Sequence, residues 1–211
     1  MLAWLSEYSG ALQVVLSALT AVVWLAYLQL LLTNLRHQRR PVLLINTGAG
    51  RGLRQSCFLS NLGMEPIYVM DVAIRVEAGD RVAVAAITDV EPEHTSDDTD
   101  ALRATNQGPL ESGAIQNLGT FDTLIRRALG RDSGIGIEEV DRFDLVAIFA
   151  VAARNKICAS RRGFSIDPDH PRLMVPESVR ARQVTGWRRR RALNRWLEAR
   201  RQGRAADGEL P

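Results

Sequence analysis

The densest run of chemically active side chains lies near the C-terminal end. The stretch ESVRARQVTGWRRRRALNRWLEARRQGR, residues 177–204, holds ten arginines between Arg180 and Arg204, with Trp187 and Trp196 among them. Guanidinium groups neutralise phosphates, and indole rings stack on bases or settle at a membrane–water boundary. From Trp187 onward the spacing predicts a helix with Ala192, Leu193, Trp196 and Leu197 on one side, and Arg188, Arg189, Arg190, Arg191 and Arg195 make it strongly basic. Three readings stay open. The apolar side can pack on the protein's own domain and leave the arginines in water. The helix can lie on an anionic inner-leaflet lipid surface, where each basic residue contributes about 1 kcal/mol. Or it can take nucleic acid or a protein partner, although no nucleic-acid-binding fold is recognisable upstream.

Other candidate groups carry less chemistry. INTGAGRG, residues 45–52, has the glycines of an anion-binding turn. A phosphate loop must open a helix, whereas this chain continues into strand and has no Gly-Lys-Ser/Thr, so a connection with positive-φ glycines is expected. The acidic run EPEHTSDDTD offers Glu91, Glu93, His94, Asp97, Asp98 and Asp100. It lacks the spaced carboxylates of a calcium loop and a second His or Cys for zinc, and it reads as an exposed loop. In GRDSGIG, Arg131 breaks the glycine spacing of a nucleophile elbow, and His37 and His170 have no visible acid partner. No catalytic, metal-binding or cofactor-binding residue is therefore assigned. Cys57 and Cys158 are the two thiols of the whole chain, which suits a reducing compartment and small core residues better than a disulfide framework.

The elements that would position these groups begin with Ala11–Leu32, ALQVVLSALTAVVWLAYLQLLL, which holds no charged side chain from end to end. A helix of that length reaches about 33 Å and spans a hydrocarbon core of about 30 Å. Gln13, Ser17, Thr20 and Gln29 are uncharged polar residues that a spanning helix tolerates, and Trp4 and Tyr8 suit the boundary before it. A cleaved signal peptide wants a positive leader, a shorter apolar core and a small-residue cleavage site, and none is visible. Only Glu7 is charged before the helix, while Arg36, Arg39 and Arg40 follow it, which predicts that the remainder faces the cytoplasm. Charge is uneven beyond that. Residues 1–64 carry net +4, residues 65–144 net −10 and residues 145–211 net +9, within a total of +3. Such asymmetry favours membrane-surface or partner contacts over uniform affinity for nucleic acid.

Pro41 ends the helix. Strands are predicted at 42–45, 55–62, 67–76 and 81–90, with Gly79-Asp80 as a hairpin turn, then at 113–119, 144–153, 157–160 and 164–166. Phe121–Leu129 has helix spacing with Thr120 as its cap. The expected architecture is mainly β: residues 1–35 with the transmembrane helix, a basic linker over 36–41, an immunoglobulin-like antiparallel sandwich over 42–176, and a basic amphipathic tail over 177–211. The order of helix, YLQLLL, basic knot, RPVLLINTGAGRG and CFLSNLGMEPIYV resembles single-pass bacterial inner-membrane proteins with a small β-rich cytosolic domain. That resemblance implies architecture and location and brings no established activity. The expected role is a membrane-tethered interaction or regulatory module with a protein partner, and a nucleic-acid- or nucleotide-responsive effector is the alternative. Arg36, Arg39, Arg40, Trp187, Arg188, Arg189, Arg190, Arg191, Arg195 and Trp196 are the expected membrane or partner contacts.

Overall fold

The computed structural model describes residues 9–38, 41–87, 105–130, 133–151, 156–167, 173–184 and 186–201. The chain divides at Arg40 into two compact units, Met1–Arg40 and Pro41–Pro211. Helix α1, Ser9–Gln38, has its apolar residues spread all round instead of along one stripe. Over the 27 residues from Ser9 to Leu35 it is long and apolar enough to cross a membrane, two properties that a signal sequence near an N terminus shares. Its hydroxyls are satisfied locally. Thr20 Oγ1 donates to the Leu16 carbonyl and Thr33 Oγ1 to the Gln29 carbonyl, each at 2.8 Å.

The second unit is mainly β. One antiparallel sheet runs β1 (Leu43–Thr47), β2 (Ser56–Asn61), β6 (Ile115–Thr120) in that spatial order. The other contains β3 (Ile67–Ala78), β4 (Arg81–Ala86), β5 (Gly108–Leu110), β7 (Arg142–Val151), β8 (Lys156–Ile166), β9 (Met174–Pro176) and β10 (Arg182–Val184). Its order is β10-β8-β7-β3-β4, with β5 added along β3 and β9 along β8. Helix α2, Phe121–Leu129, starts where Thr120 Oγ1 accepts from the Thr123 N–H at 3.3 Å. It turns Phe121, Leu124, Ile125 and Leu129 into the core. That core draws on both sheets and on α2. At its centre Phe164 lies 5.0 Å from both Phe121 and Phe143, whose rings stand 5.5 Å from each other. Such spacing is that of favourable aromatic contact.

Helix α3, Trp187–Arg201, covers part of the opposite face of the larger sheet. The central strand β7 is thus buried on both faces, and its sequence RFDLVAIFAV is apolar almost throughout instead of alternating. In β3 a bulge between Val69 and Asp71 shifts the inward set from Ile67 and Val69 to Val72, Ile74 and Val76. One extra residue therefore keeps the apolar side chains on the core side.

Several expectations need correction. The separate strands at 157–160 and 164–166 are one continuous β8, which pairs with β7 from Lys156 to Ser165. Strands β5, β9 and β10 have no counterpart among the predicted strands, and the strand at 81–90 ends at Ala86, with 88–90 outside the described residues. The segment from residue 177, expected as a tail, contributes β10 and α3 to the second unit's fold. The acidic run 91–100, His170, Arg39 and Arg40 lie outside the described residues.

Candidate functional site

The sequence points first to the arginine-rich helix, and its location follows from one stripe of apolar spacing. Leu193 is fully buried and Trp196 is 8% exposed, both packed with Ala73, Val146, Ile148, Ala159 and Val184 of the sheet; partly buried Leu197 adjoins them. At about 2–3 kcal/mol for each large side chain taken from water, this contact anchors the helix. The apolar side that could have entered a bilayer is occupied by the protein's own sheet, so Trp196 leaves the set of expected surface contacts. Arg191 and Arg195, one turn apart, are exposed. Trp187, Arg188, Arg189 and Arg190 form the first turn of α3, and Arg36 lies in the last turns of α1. The structure thus brings Arg191 and Arg195 together and separates Trp196 from them.

Next to α3 on the same sheet face lies a belt of ion pairs. Asp144, its side chain 3% exposed, is gripped by the Arg161 fork: Nε donates to Oδ1 at 3.2 Å and a terminal nitrogen to Oδ2 at 3.0 Å. Arg142 grips Glu177 through two nitrogens, both at 2.8 Å. Arg75 and Glu77 pair along β3. Gly163 makes the room. A Cβ there would stand 2.5 Å from Glu177 Oε2 and 2.9 Å from Asp144 Oδ1. With both oxygens of Asp144 and of Glu177 engaged by guanidinium groups, the belt acts as a fastening between β7, β8 and the segment after β9.

A second polar group joins the two sheets. Strand β1 pairs with β2 along one edge, and side chains of β8 and β10 satisfy the other. Ser160 Oγ donates to the Leu43 carbonyl at 2.7 Å, Gln183 Nε2 donates to the same oxygen at 2.6 Å, and Arg162 donates to the Ile45 carbonyl. Gln183 Oε1 accepts from the Leu43 N–H at 3.4 Å. The Arg162 guanidinium also lies 5.4 Å above the Phe164 ring, within the range of a cation–π contact. Burial pushes the Cys57 thiol up to about 12, against the opposing influence of Arg162. The sulfur is therefore a protonated core group and not a nucleophile at neutral pH. Cys158 is also free and buried.

The glycine turn behaves as its sequence predicts. Gly50 and Gly52 have φ of 128° and 56°, and the chain passes through a single 3-10 turn into β2. Ser133 of GRDSGIG accepts from the Ile135 N–H and shapes its own turn, while Arg131 and Asp132 lie outside the described residues. Among the described residues no cluster of three His, Cys, Asp or Glu side chains could hold a metal ion.

A feature that sequence reasoning misses is an open groove of about 700 Å³ beside β6, walled by Asn106, Leu110, Gln116, Leu118, Thr123 and Arg127. Its floor follows the outer strand of the smaller sheet, where an extended segment could lie alongside. The only signal in the sequence is the short GPL run, too brief to read as strand. No known protein family, curated protein sequence or solved structure matches this chain.

Proposed function

We propose that this chain is a single-pass protein of the bacterial inner membrane whose β unit, held in the cytoplasm, serves as a binding or regulatory module and not as a catalyst. The observation that carries the reading is α1. It is apolar on every side, its side chains from Ser9 to Leu35 are all exposed, and a compact β unit begins at Pro41. A helix apolar all round needs either a protein core or a lipid one, and lipid supplies the cover here. The arginines at 36, 39 and 40 support the cytoplasmic side by the positive-inside rule. Two antiparallel sheets over one core support an immunoglobulin-like sandwich, to which the covering helix α3 is an addition. The groove beside β6 is the seat offered to a protein partner.

The second reading, a nucleic-acid-responsive effector, is favoured by exposed Arg191 and Arg195 on the same turn-spaced ridge. A compartment reporter fused after Pro211 in a bacterial host, with membrane fractionation, tests the main reading. A membrane-bound cytoplasmic signal is expected; a periplasmic or freely soluble signal refutes it. Nucleic-acid binding that collapses with rising salt would move the assignment to the second reading.

A further inference from the structure

The end of the β unit at which the chain enters from α1 is also where it exposes a group of large apolar side chains. Leu62 is 60% exposed, Met64 64%, Tyr68 48% and Ile115 67%. The turn that carries Leu62 and Met64 adjoins Pro41. The Leu62 N–H donates to the Val42 carbonyl at 2.9 Å, and a Cβ on Gly63 would lie 3.4 Å from Pro41 Cα. Ile115 pairs across from Ser60 at the end of β2, and Tyr68 lies at the start of β3 opposite Pro109. The turn that carries Leu62 and Met64 is stiff. Fully buried Asn61 donates to the carbonyls of Glu65 and Leu110, both at 3.0 Å, and its Oδ1 accepts from the Gly63 N–H; Ser112 Oγ donates to the Gly63 carbonyl at 2.7 Å. A buried amide with three bonds holds two apolar side chains outward, where water gives them nothing.

Covalent reach supplies the occupant. Gln38 is the last residue of α1. Three virtual bonds join it to Pro41, so these Cα atoms are at most about 11 Å apart, whatever the angle between the units. If α1 spans, Pro41 therefore stays within about 11 Å of the helix end, and docking requires in addition that the exposed side chains beside it turn to the lipid. Arg36, Arg39 and Arg40 flank it in sequence, and they suit an anionic headgroup layer. Lys156 is exposed at the start of β8, whose partner Val151 pairs with Ile67 beside Tyr68. Glu65 and Glu111 belong to the same end, so the apolar side chains and the linker arginines make the contact. Isolated exposed apolar residues occur on most surfaces, but two on the turn beside the linker, with Ile115 and Tyr68 at strand ends nearby, have a partner at hand.

We infer that the Leu62–Met64 turn, with Tyr68 and Ile115, is a lipid-docking tip that seats the β unit on the interfacial layer of the bilayer crossed by α1. The inference rests on the tethered reading above, and it holds for either side of the membrane. Docking fixes which faces stay open: the tip, with Ile115 at one end of the groove, is spent on lipid, while the arginine ridge remains for soluble partners.

The test uses the full chain reconstituted into vesicles of phosphatidylethanolamine and phosphatidylglycerol. An environment-sensitive fluorophore is placed on Met64→Cys or on Leu173→Cys, and quenching by a headgroup spin-labelled lipid is recorded. Leu173 is 52% exposed and lies by the end of β8 opposite to Lys156, bonded through its carbonyl to the Asp167 N–H. Cys57 and Cys158 are buried, so the parent chain sets the labelling background. The label at 64 is expected to shift to the blue and to be quenched several-fold more than the label at 173. Equal quenching at both positions, in protein that floats with the vesicles, overturns the docking and leaves the tether standing. Protein that does not float overturns both.

Discussion

The contact between α3 and the sheet can be tested at one side chain. Leu193 is fully buried in the small cluster that holds the helix. Leu193→Ala removes about three carbon groups at roughly 0.8 kcal/mol each, or about 2.4 kcal/mol before any cavity remains. The loss is capped by the helix's own hold on the sheet, because α3 can lift away while the main core stays folded. Leu193 and Trp196 are its two buried anchors, so this substitution should remove about half of the apolar hold. The helix carries its own reporter. Arg191 and Arg195 are trypsin sites whose cleavage requires the backbone to open, and under rapid reclosing the cleavage rate follows the open population. A change of about 2–3 kcal/mol predicts cleavage in α3 about 30- to 150-fold faster in detergent-solubilised protein, with the rest of the β unit still resistant. A cleavage rate equal to the parent's would refute the packing argument, since it would show α3 held by something other than this stripe. Trp196→Ala should act in the same direction, and the two effects should not add, because both residues serve one contact.

Gly163→Ala should lower stability by about 1–3 kcal/mol, read as a shift in the urea midpoint. Its methyl group must displace the two carboxylates held by Arg142 and Arg161. Thr120→Ala removes the cap of α2 and should cost about 1 kcal/mol in the same assay. The Cys57 thiol keeps its proton in the folded state up to about 12, against an ordinary value of 9.0. Between those values the unfolded state binds fewer protons, so stability falls as pH rises through that window. Cys57→Ala should flatten this alkaline loss, measured as the urea midpoint at pH 8 and pH 11 relative to the parent chain.

Local chemistry makes much of the fold legible, and two-sided burial hides the rest. The β3–β4 hairpin is readable because Gly79-Asp80 joins two strands with regular alternation, and α2 because a threonine cap precedes an apolar stripe with helix spacing. Strand β8 reads as two pieces because RRG, residues 161–163, looks like a break. Arg161 instead reaches the belt on one face, Arg162 reaches the seam toward β1 on the other, and Gly163 admits the carboxylates, so each interrupting residue has a partner that only the tertiary structure supplies. Strands β5, β9 and β10 are three residues each, below the length at which alternation carries a signal. The destination of α3 is undecidable from pattern. An amphipathic basic helix has the same spacing whether its apolar stripe meets lipid or a sheet, and the deciding fact is the apolar patch of Ala73, Val146, Ile148 and Ala159, whose residues are scattered over three strands. The groove beside β6 has no sequence signature beyond the short GPL run, because it is the space between segments.

A strand with unclaimed amides and carbonyls along its margin is a template on which another copy can grow. In β1 the template is blocked by Ser160, Arg162 and Gln183, whose side chains occupy the Leu43 N–H and carbonyl and the Ile45 carbonyl without offering a new margin in return. A backbone strand in their place would have passed the problem one position outward. Side chains end it, and they make the resistance of this one margin to self-templating depend on three residues instead of on a whole strand.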